Sequence, residues 1–122
     1  MCKILLSINP KHVENILLGI KQYEFRKIQC KKKVDKIVIY STYPVMKVVG
    51  EADVLDVLVN SPDIVWNETA DYAGITKGFF DDYYNTSAKA VAYHLGNIKK
   101  FEVPKKLSDY GVKSAPQSFV YI

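Results

Sequence analysis

The order of hydrophobic and polar positions predicts a strand, a helix and a second strand at the start of the chain. Residues 4–8 form an apolar run of strand length, and Asn9-Pro10 supplies a helix cap followed by proline at the first helical position. Apolar side chains then recur at helical spacing, at Val13, Ile16, Leu17 and Ile20. Glycine tolerates the backbone that closes a helix, so Gly19 ends this one and residues 21–26 follow directly.

The rest of the pattern predicts further strands around two more helices. Residues 35–43 and 48–59 are rich in β-branched side chains, and the acids of the second run change phase between Asp53 and Asp56, which indicates a bulge. Ser61-Pro62 begins a second helix that closes at Gly74, and Thr76 caps a third. The remaining predicted elements are strands at 89–95 and 99–103 separated by a turn at Gly96-Asn97, a short helix or loop at 104–111, and a closing strand at 118–122.

The sequence of elements indicates the fold class. Strands and helices are segregated rather than alternating regularly, which favours an α+β fold with a mixed, mostly antiparallel, barrel-like sheet flanked by about three helices. The 122 residues are typical of one domain, so we expect a single domain over 1–122. A hydrophobic content of 48% with 25% charged residues excludes a disordered chain.

Charge is distributed unevenly along the chain. Residues 1–50 carry ten Lys and Arg against three acids, whereas residues 51–88 carry eight acids against one Lys. The net charge of +4 therefore hides a basic face that would attract phosphates and an acidic 51–88 face that would suit a basic protein partner. A surface with clustered lysines and no binding partner would have the same charge distribution.

Several functional classes find no support in the sequence. No apolar run approaches the ~20 residues of a membrane span, and the N-terminus lacks the features of a secretory signal, so we expect no membrane contact. Cys2 and Cys30 have no partnered spacing, which favours free thiols and a cytoplasmic location. The two histidines and two cysteines have no metal-ligand spacing, and no glycine-rich phosphate loop is present, so neither a metal nor a cofactor is predicted.

The best candidate for chemistry is the charged cluster of Lys21, Glu24 and Arg26. In a strand, Glu24 and Arg26 share one face while Tyr23 and Phe25 pack on the other. A lysine, a carboxylate and an arginine held together can bind phosphate, orient a base edge or tune the proton affinity of the lysine. An ion pair that fixes the helix to the sheet is an equally good reading of these residues.

Other candidates carry less weight. His94 is interpreted as a core or edge side chain of a strand, and His12 is placed on the exposed side of the first helix. Tyr83 and Tyr84 are interpreted as packing residues of the third helix, with base stacking as the alternative.

Residues 19–26, Gly-Ile-Lys-Gln-Tyr-Glu-Phe-Arg, match the GxKxxExR motif of the ASCH (activating signal cointegrator homology) domain. The chain resembles this member of the PUA-like superfamily along almost its whole length. The other matching blocks are residues 5–10, 39–44, 49–52 and 116–119. Five blocks in the same order make the resemblance specific.

The resemblance implies a small β-barrel with a cleft beside the motif and a role in RNA binding, in RNA processing or in regulation linked to transcription or translation. It places Lys21, Glu24 and Arg26 in the cleft. Some small ASCH proteins are amidohydrolases in which a threonine stands three positions after the motif lysine. Glu24 occupies that position here, which argues against the same mechanism.

The other residues assigned to ligand binding are Ser41, Thr42, Gln117 and Ser118. Ser41 and Thr42 follow a strand, where their hydroxyls would meet a base or ribose, although ordinary turn chemistry before Pro44 explains them as well. Gln117 and Ser118 are placed by the family resemblance alone.

Three hypotheses follow from these observations. The first is an RNA- or nucleotide-binding module. The second is a small metal-independent hydrolase, acting on a modified nucleoside or on RNA, in which Lys21 and Glu24 transfer protons. The third is a protein-interaction module that uses the acidic 51–88 face.

Overall fold

A computed structural model describes residues 1–122 and shows one six-stranded sheet with three α-helices. The strands are β1 (Lys3–Ile8), β2 (Tyr23–Arg26), β3 (Lys36–Ser41), β4 (Lys47–Asn60), β5 (Ala90–Lys105) and β6 (Phe119–Tyr121). The helices are α1 (Pro10–Leu17), α2 (Pro62–Thr69) and α3 (Lys77–Tyr83), with 3-10 turns at Ala70–Tyr72 and Leu107–Tyr110. The predicted α+β class with about three flanking helices is confirmed.

The sheet is mixed and curls into a half-barrel. Its strand order is β2-β5-β4-β3-β1-β6, and every neighbouring pair is antiparallel except β1 with β3. The first and last strands of the chain are paired, with Leu5 opposite Val120 and the Ile122 N–H bonded to the Lys3 carbonyl at 3.0 Å. The edges β2 and β6 are not paired with each other, so the predicted barrel is open along one seam.

Strand alternation divides the core between the two faces of the sheet. On one face, Ile4, Leu6 and Ile8 pack with Val13 and Ile16 of α1. Leu5 points to the opposite face, where its cluster also contains Val38, Tyr40, Val48 and Phe101. A third cluster, around Phe25, Val65 and Phe80, joins α2 and α3 to β2 and β5. Strand β2 therefore lies between two cores, and its two faces have different environments.

The structure corrects the prediction for residues 89–103. The predicted turn at Gly96-Asn97 is wrong, because β5 continues through it as one strand of 16 residues. Asn97 does have a positive φ of 48°, and the β4–β5 register shifts between Glu51 and Asp53, so the two residues mark an irregularity in a long strand. The bulge predicted in the 48–59 strand is confirmed by a second shift between Val54 and Asp56.

The starts of α1 and α3 follow the predicted capping signals. The Asn9 side chain accepts a hydrogen bond from the Lys11 backbone N–H at 2.9 Å, and the Thr76 hydroxyl accepts one from the Phe79 N–H at 3.1 Å. Helix α2 ends at Thr69, short of the predicted Gly74, and a 3-10 turn fills the interval. None of the helices combines the length and apolar character needed to cross a membrane.

Candidate functional site

The end of α1 and the pairing of β2 place the charged cluster. Gly19 adopts a φ of 81° after α1, and the backbone N–H groups of Ile20 and Lys21 both bond to the Asn15 carbonyl at 3.0 Å. In the β2–β5 ladder Glu24 lies opposite Tyr93, and Arg26 lies opposite Val91. Directly opposed residues share a face, so both charged side chains lie on the face of the sheet that packs against α1.

One carboxylate lies between two cations in this cluster. Glu24 Oε2 is 2.7 Å from Arg26 Nη2, and Glu24 Oε1 is 3.9 Å from Lys21 Nζ. Lys21 is only 2% exposed and Glu24 only 6%. With both cations charged, the cluster has a net charge of about +1 in a largely dehydrated place. Glu24 and Arg26 share one face, as strand alternation predicts, and Tyr23 and Phe25 stack on the other face with ring centroids 6.4 Å apart.

Lys21 is held at a third point by the turn before α3. Its Nζ donates to the Ala73 carbonyl at 3.0 Å and lies 4.7 Å from the centre of the Phe25 ring. Gly74 leaves the space for it, because a Cβ on Gly74 would come within 2.3 Å of the Lys21 Cβ. Burial lowers the pKa of Lys21 from its ordinary value, the charge of Arg26 lowers it further, and Glu24 opposes the change.

Arg26 spans the open seam of the half-barrel. Its Nη2 donates to the Ser7 carbonyl of β1 at 3.0 Å as well as to Glu24. The Tyr84 hydroxyl donates to the Arg26 backbone carbonyl at 2.8 Å, which fixes β2 to the C-terminal end of α3. The Arg26 Nε is buried and has no hydrogen-bond partner. Arg26 therefore retains a buried N–H donor, at Nε, for a further acceptor.

The cluster forms one wall of a cavity of about 160 Å³. The other walls come from the start of α1 and from α3, and the lining residues are Ile8, Asn9, His12, Lys21, Glu24, Phe25, Arg26, Ile75, Phe79 and Tyr83. A cavity of roughly 150 Å³ accommodates one benzene ring, so this one is of a size for a single planar ring.

His12 is the site residue that the sequence prediction misplaced. Its ring is half-buried rather than exposed, lines the cavity, and meets the Phe79 ring edge-to-face at 5.3 Å. The His12 Nδ1 is buried without a hydrogen-bond partner. Burial and the nearby charge of Lys21 lower the pKa of His12, which favours the neutral imidazole. The missed signal was helical spacing, since His12 stands four residues before the buried Ile16 and shares its side of α1.

The aromatic residues of α3 have separate roles. Tyr83 lines the cavity, where burial raises its pKa, whereas Tyr84 is a core residue. His94 stacks on Tyr23 with ring centroids 4.7 Å apart and does not line this cavity.

A larger and more open groove adjoins the cavity. It has a volume of about 750 Å³ and shares Asn9, His12, Ile75 and Phe79 with the cavity wall. Its outer wall includes Lys11 and Asn15 of α1. A ligand whose ring occupies the cavity therefore has room for a polar substituent outside it.

The four other predicted ligand residues do not line the cavity but surround the neighbouring end of β1. The Thr42 N–H bonds to the Ile8 carbonyl at 3.0 Å, and Ser41 is paired with Ile8 in the β1–β3 register. On the other side of β1, the Ser118 carbonyl accepts a hydrogen bond from the Ser7 N–H at 3.1 Å. Gln117 precedes it and is exposed. Ligand binding by Ser41, Thr42, Gln117 and Ser118 stays a prediction.

The arrangement offers a defined set of polar groups to a ring in the cavity. Glu24 provides carboxylate oxygens, while Lys21 and Arg26 provide N–H donors, and neutral His12 adds a group that can donate or accept. The described side chains contain no cluster of three His, Cys, Asp or Glu that could hold a metal ion.

Comparison with solved structures defines the fold class. The chain superposes on ASCH from Zymomonas mobilis with a TM-score of 0.89 and 24% identity, covering 98% of this chain and 87% of that one. A tyrosine-to-phenylalanine mutant of the same protein gives a TM-score of 0.89 at 23% identity, covering 98% and 89%. The N-terminal domain of Staphylothermus marinus McrB gives 0.52 at 16% identity, covering 88% and 77%. The fold is ASCH-like, as the sequence predicts.

The family is defined by the sequence itself. Residues 11–115 match a domain of unknown function, DUF365, and the chain belongs to that family. Two curated relatives come from Ureaplasma parvum serovar 3. ATP synthase subunit alpha is 32% identical over 98% of this chain and 15% of its own length, and large ribosomal subunit protein uL22 is 31% identical over 98% and 39%. The chain thus spans well under half the length of either relative.

Proposed function

We propose that this domain binds RNA or a nucleotide by enclosing one base in the cavity beside Lys21, Glu24 and Arg26. The observation that carries the proposal is the pair of buried, unpartnered nitrogens, His12 Nδ1 and Arg26 Nε, on two residues that line a cavity with room for one ring. Buried polar atoms normally have partners, and a base edge supplies both donors and acceptors.

The charges of the cluster favour such a ligand over a purely apolar one. Glu24 can accept from an exocyclic amino group or ring N–H, and Lys21 and Arg26 can donate to a carbonyl or ring nitrogen. The net charge of about +1 with neutral His12 also favours a ligand that carries phosphate. The adjoining groove leaves space for ribose and phosphate outside the cavity.

The relatives support a portable module in RNA metabolism or in regulation linked to transcription or translation. Nearly the whole chain aligns with part of two otherwise unrelated proteins, one of them a ribosomal protein. A domain that recurs in different proteins can carry a function that does not depend on the rest of each protein.

A ligand-screened thermal shift tests the proposal. Nucleosides, nucleotides and short RNAs are titrated against the wild type and against Lys21→Met, with Lys89→Met as a control that removes an exposed lysine outside the cavity. A ligand that binds only the folded state raises the melting temperature. We expect a shift for the wild type and Lys89→Met and its loss in Lys21→Met. No shift with any of these ligands, or equal shifts in all three proteins, contradicts the proposal.

Hydrolysis is a second candidate function, favoured by the environment of Lys21. Its lowered pKa increases the fraction of neutral amine, and a carboxylate oxygen lies 3.9 Å away. Lys21 can therefore take a proton from the water that attacks an amide carbonyl, and Glu24 can relay that proton to the nitrogen that leaves as the C–N bond breaks. An activated amide on a nucleoside suits this pair better than a phosphodiester. Incubation of acylated nucleosides and structured RNA with wild type, Lys21→Ala and Glu24→Gln tests it, and equal turnover by all three excludes these residues.

A further inference from the structure

A second groove, which is lined by lysines, lies at the same end of the sheet as the cavity. It has a volume of about 620 Å³, and three exposed lysines line it, Lys47, Lys106 and Lys113. No acidic residue is part of its lining. The Asp109 carboxylate, one turn away, accepts a hydrogen bond from the Lys106 backbone N–H. The groove floor includes Tyr40, which belongs to the core cluster on the face of the sheet opposite α1.

The pairing of three strands brings a residue of each site to the same end of the sheet. Ile8, which lines the cavity, is paired with Ser41, and Ser41 is paired with Lys47, which lines the groove. Adjacent strands are about 4.8 Å apart, so the backbones of Ile8 and Lys47 are separated by about 10 Å. The cavity and the groove are therefore neighbours around the end of the half-barrel.

Two chain segments connect the sites, and both carry groups that suit a nucleic acid. Residues 42–46 run from the Thr42–Ile8 hydrogen bond to the groove and carry Tyr43, whose side chain is 80% exposed. Residues 113–118 run from Lys113 back to β1, where the Pro116 carbonyl accepts a hydrogen bond from the Ser7 hydroxyl at 2.6 Å. An exposed aromatic residue on a segment that joins a ring-sized cavity to a lysine-lined groove suits single-strand binding, since bases stack on aromatics while lysines contact the phosphates.

We propose that the groove of Lys47, Lys106 and Lys113 binds the phosphates of a single-stranded RNA whose neighbouring base lies in the cavity, with Tyr43 as a stacking platform between them. This rests on the proposed function, because it assumes that the cavity takes a base. It specifies the ligand as an oligonucleotide rather than a free nucleoside. At a spacing of at least ~3.4 Å for each nucleotide, the separation of the Ile8 and Lys47 backbones corresponds to about three nucleotides. Thr42, Gln117 and Ser118 then lie along the path of the strand.

The test compares single-stranded RNAs of one to eight nucleotides by fluorescence anisotropy at several salt concentrations. The groove variant is Lys47→Gln/Lys106→Gln/Lys113→Gln. Its matched control is Lys31→Gln/Lys32→Gln/Lys33→Gln, which removes the same charge from exposed residues before β3, at the opposite end of the sheet. Tyr43→Ala tests the stacking step, and Lys21→Met tests the cavity.

We expect affinity to rise from one nucleotide to about four and then to level off. The groove variant should lose about tenfold in affinity for the longer RNAs and about two units of salt slope, since each phosphate contact in a single strand contributes ~0.7. The control triple variant should keep most of the affinity and show a smaller change in salt slope. Tyr43→Ala should weaken the binding of the longer RNAs only.

The outcomes separate this inference from the proposed function. Equal affinities for mono- and oligonucleotides, or equal losses in the two triple variants, would overturn the groove while leaving the cavity in place. Failure of any RNA or nucleotide to bind the wild type would overturn both. Displacement of the RNA by an acidic peptide of equal charge, with the same dependence on the three lysines, would show a protein ligand for the groove instead.

Discussion

At the scale of single residues, the site depends on one carboxylate that is shared by two cations. Glu24→Gln leaves Lys21 and Arg26 largely buried without a counter-charge, and such a change typically costs about 3 kcal/mol or more. Lys21→Met removes a dehydrated charge and leaves the 2.7 Å contact between Glu24 and Arg26 in place. We therefore expect Glu24→Gln to lower the free energy of unfolding at least twice as much as Lys21→Met, measured by urea denaturation at pH 7.

The double variant checks the cause of this asymmetry. In Lys21→Met/Glu24→Gln one of the two uncompensated cations is gone, so part of the loss should be recovered, with a coupling energy of about 1 kcal/mol or more. Strictly additive effects would show that the carboxylate acts on Arg26 alone.

His12 should make stability depend on pH below neutrality. The groups that face it are Lys11 on its own helix and Lys21, Glu24 and Arg26 on the opposite wall, and the balance of burial and charge lowers its pKa from 6.5. In the window between the folded pKa and 6.5 the unfolded chain binds a proton that the folded chain does not, so stability falls as pH drops through that window. The loss of unfolding free energy between about pH 7 and pH 5 should be smaller in His12→Gln than in the wild type. Parallel pH profiles would refute this.

Some contacts of the site residues can be predicted from the sequence and others cannot. Glu24 and Arg26 lie two positions apart in a strand, so their contact follows from alternation alone. Ala73 and Gly74, which hold and accommodate Lys21, are more than fifty residues away from it. Nothing local to residues 19–26 indicates them, because that proximity is a product of tertiary packing.

At the scale of elements, the turn between α2 and α3 holds Lys21 in place. Its Ala73 carbonyl accepts a hydrogen bond from Lys21, and Gly74 leaves room for the side chain. Gly74 and Gly19 both have a positive φ, of 69° and 81°, but a Cβ at Gly19 would meet nothing within 4 Å. Gly19→Ala should cost only the backbone strain, about 1 kcal/mol. Gly74→Ala should cost about 3 kcal/mol and abolish ligand binding, because it also displaces Lys21. Chemical denaturation and the thermal-shift assay measure both effects, and equal costs at the two glycines would contradict this role.

Element boundaries were predictable where the signal is local. The cap at Asn9 and the stop at Gly19 are properties of one or two residues, and the structure has both. Gly96-Asn97 carries an equally strong turn signal, yet β5 continues through it. The paired β4 supplies hydrogen bonds on both sides of the pair, and tertiary pairing outweighs local preference.

At the scale of the molecule, the acidic residues of 51–88 are distributed over β4, α2, α3 and the turn between these two helices. Glu51 and Asp53 lie 3.5 Å from Lys36, and Asp81 pairs with Lys77 at 2.9 Å, so part of this charge is compensated within the domain. A basic protein partner for the acidic face stays a prediction. Substitution of Asp63 and Glu68, which form no salt bridge and line neither the cavity nor the grooves, by their amides should abolish any such pull-down without affecting RNA binding.

Because the first strand is paired with the last, we expect the domain to tolerate circular permutation. The Ile122 N–H bonds to the Lys3 carbonyl, so about five Gly and Ser residues can join the ends. New ends in the exposed turn 31–33 should leave the unfolding free energy within about 1 kcal/mol of the wild type in urea denaturation. A permutant opened between Asp53 and Val54, inside β4, is the control that should not fold cooperatively.

The β1–β6 pair has a consequence for any longer protein that contains this domain. Because the chain enters and leaves the fold at one place, a host needs a single surface loop to accept it and does not have to stretch or reshape its own backbone. Both proposed binding surfaces lie by the other end of β1, beyond Ile8, so the tether would not cover them. On the proposed function, fusion to unrelated hosts would then add a binding unit whose ligand affinity does not depend on the point of attachment.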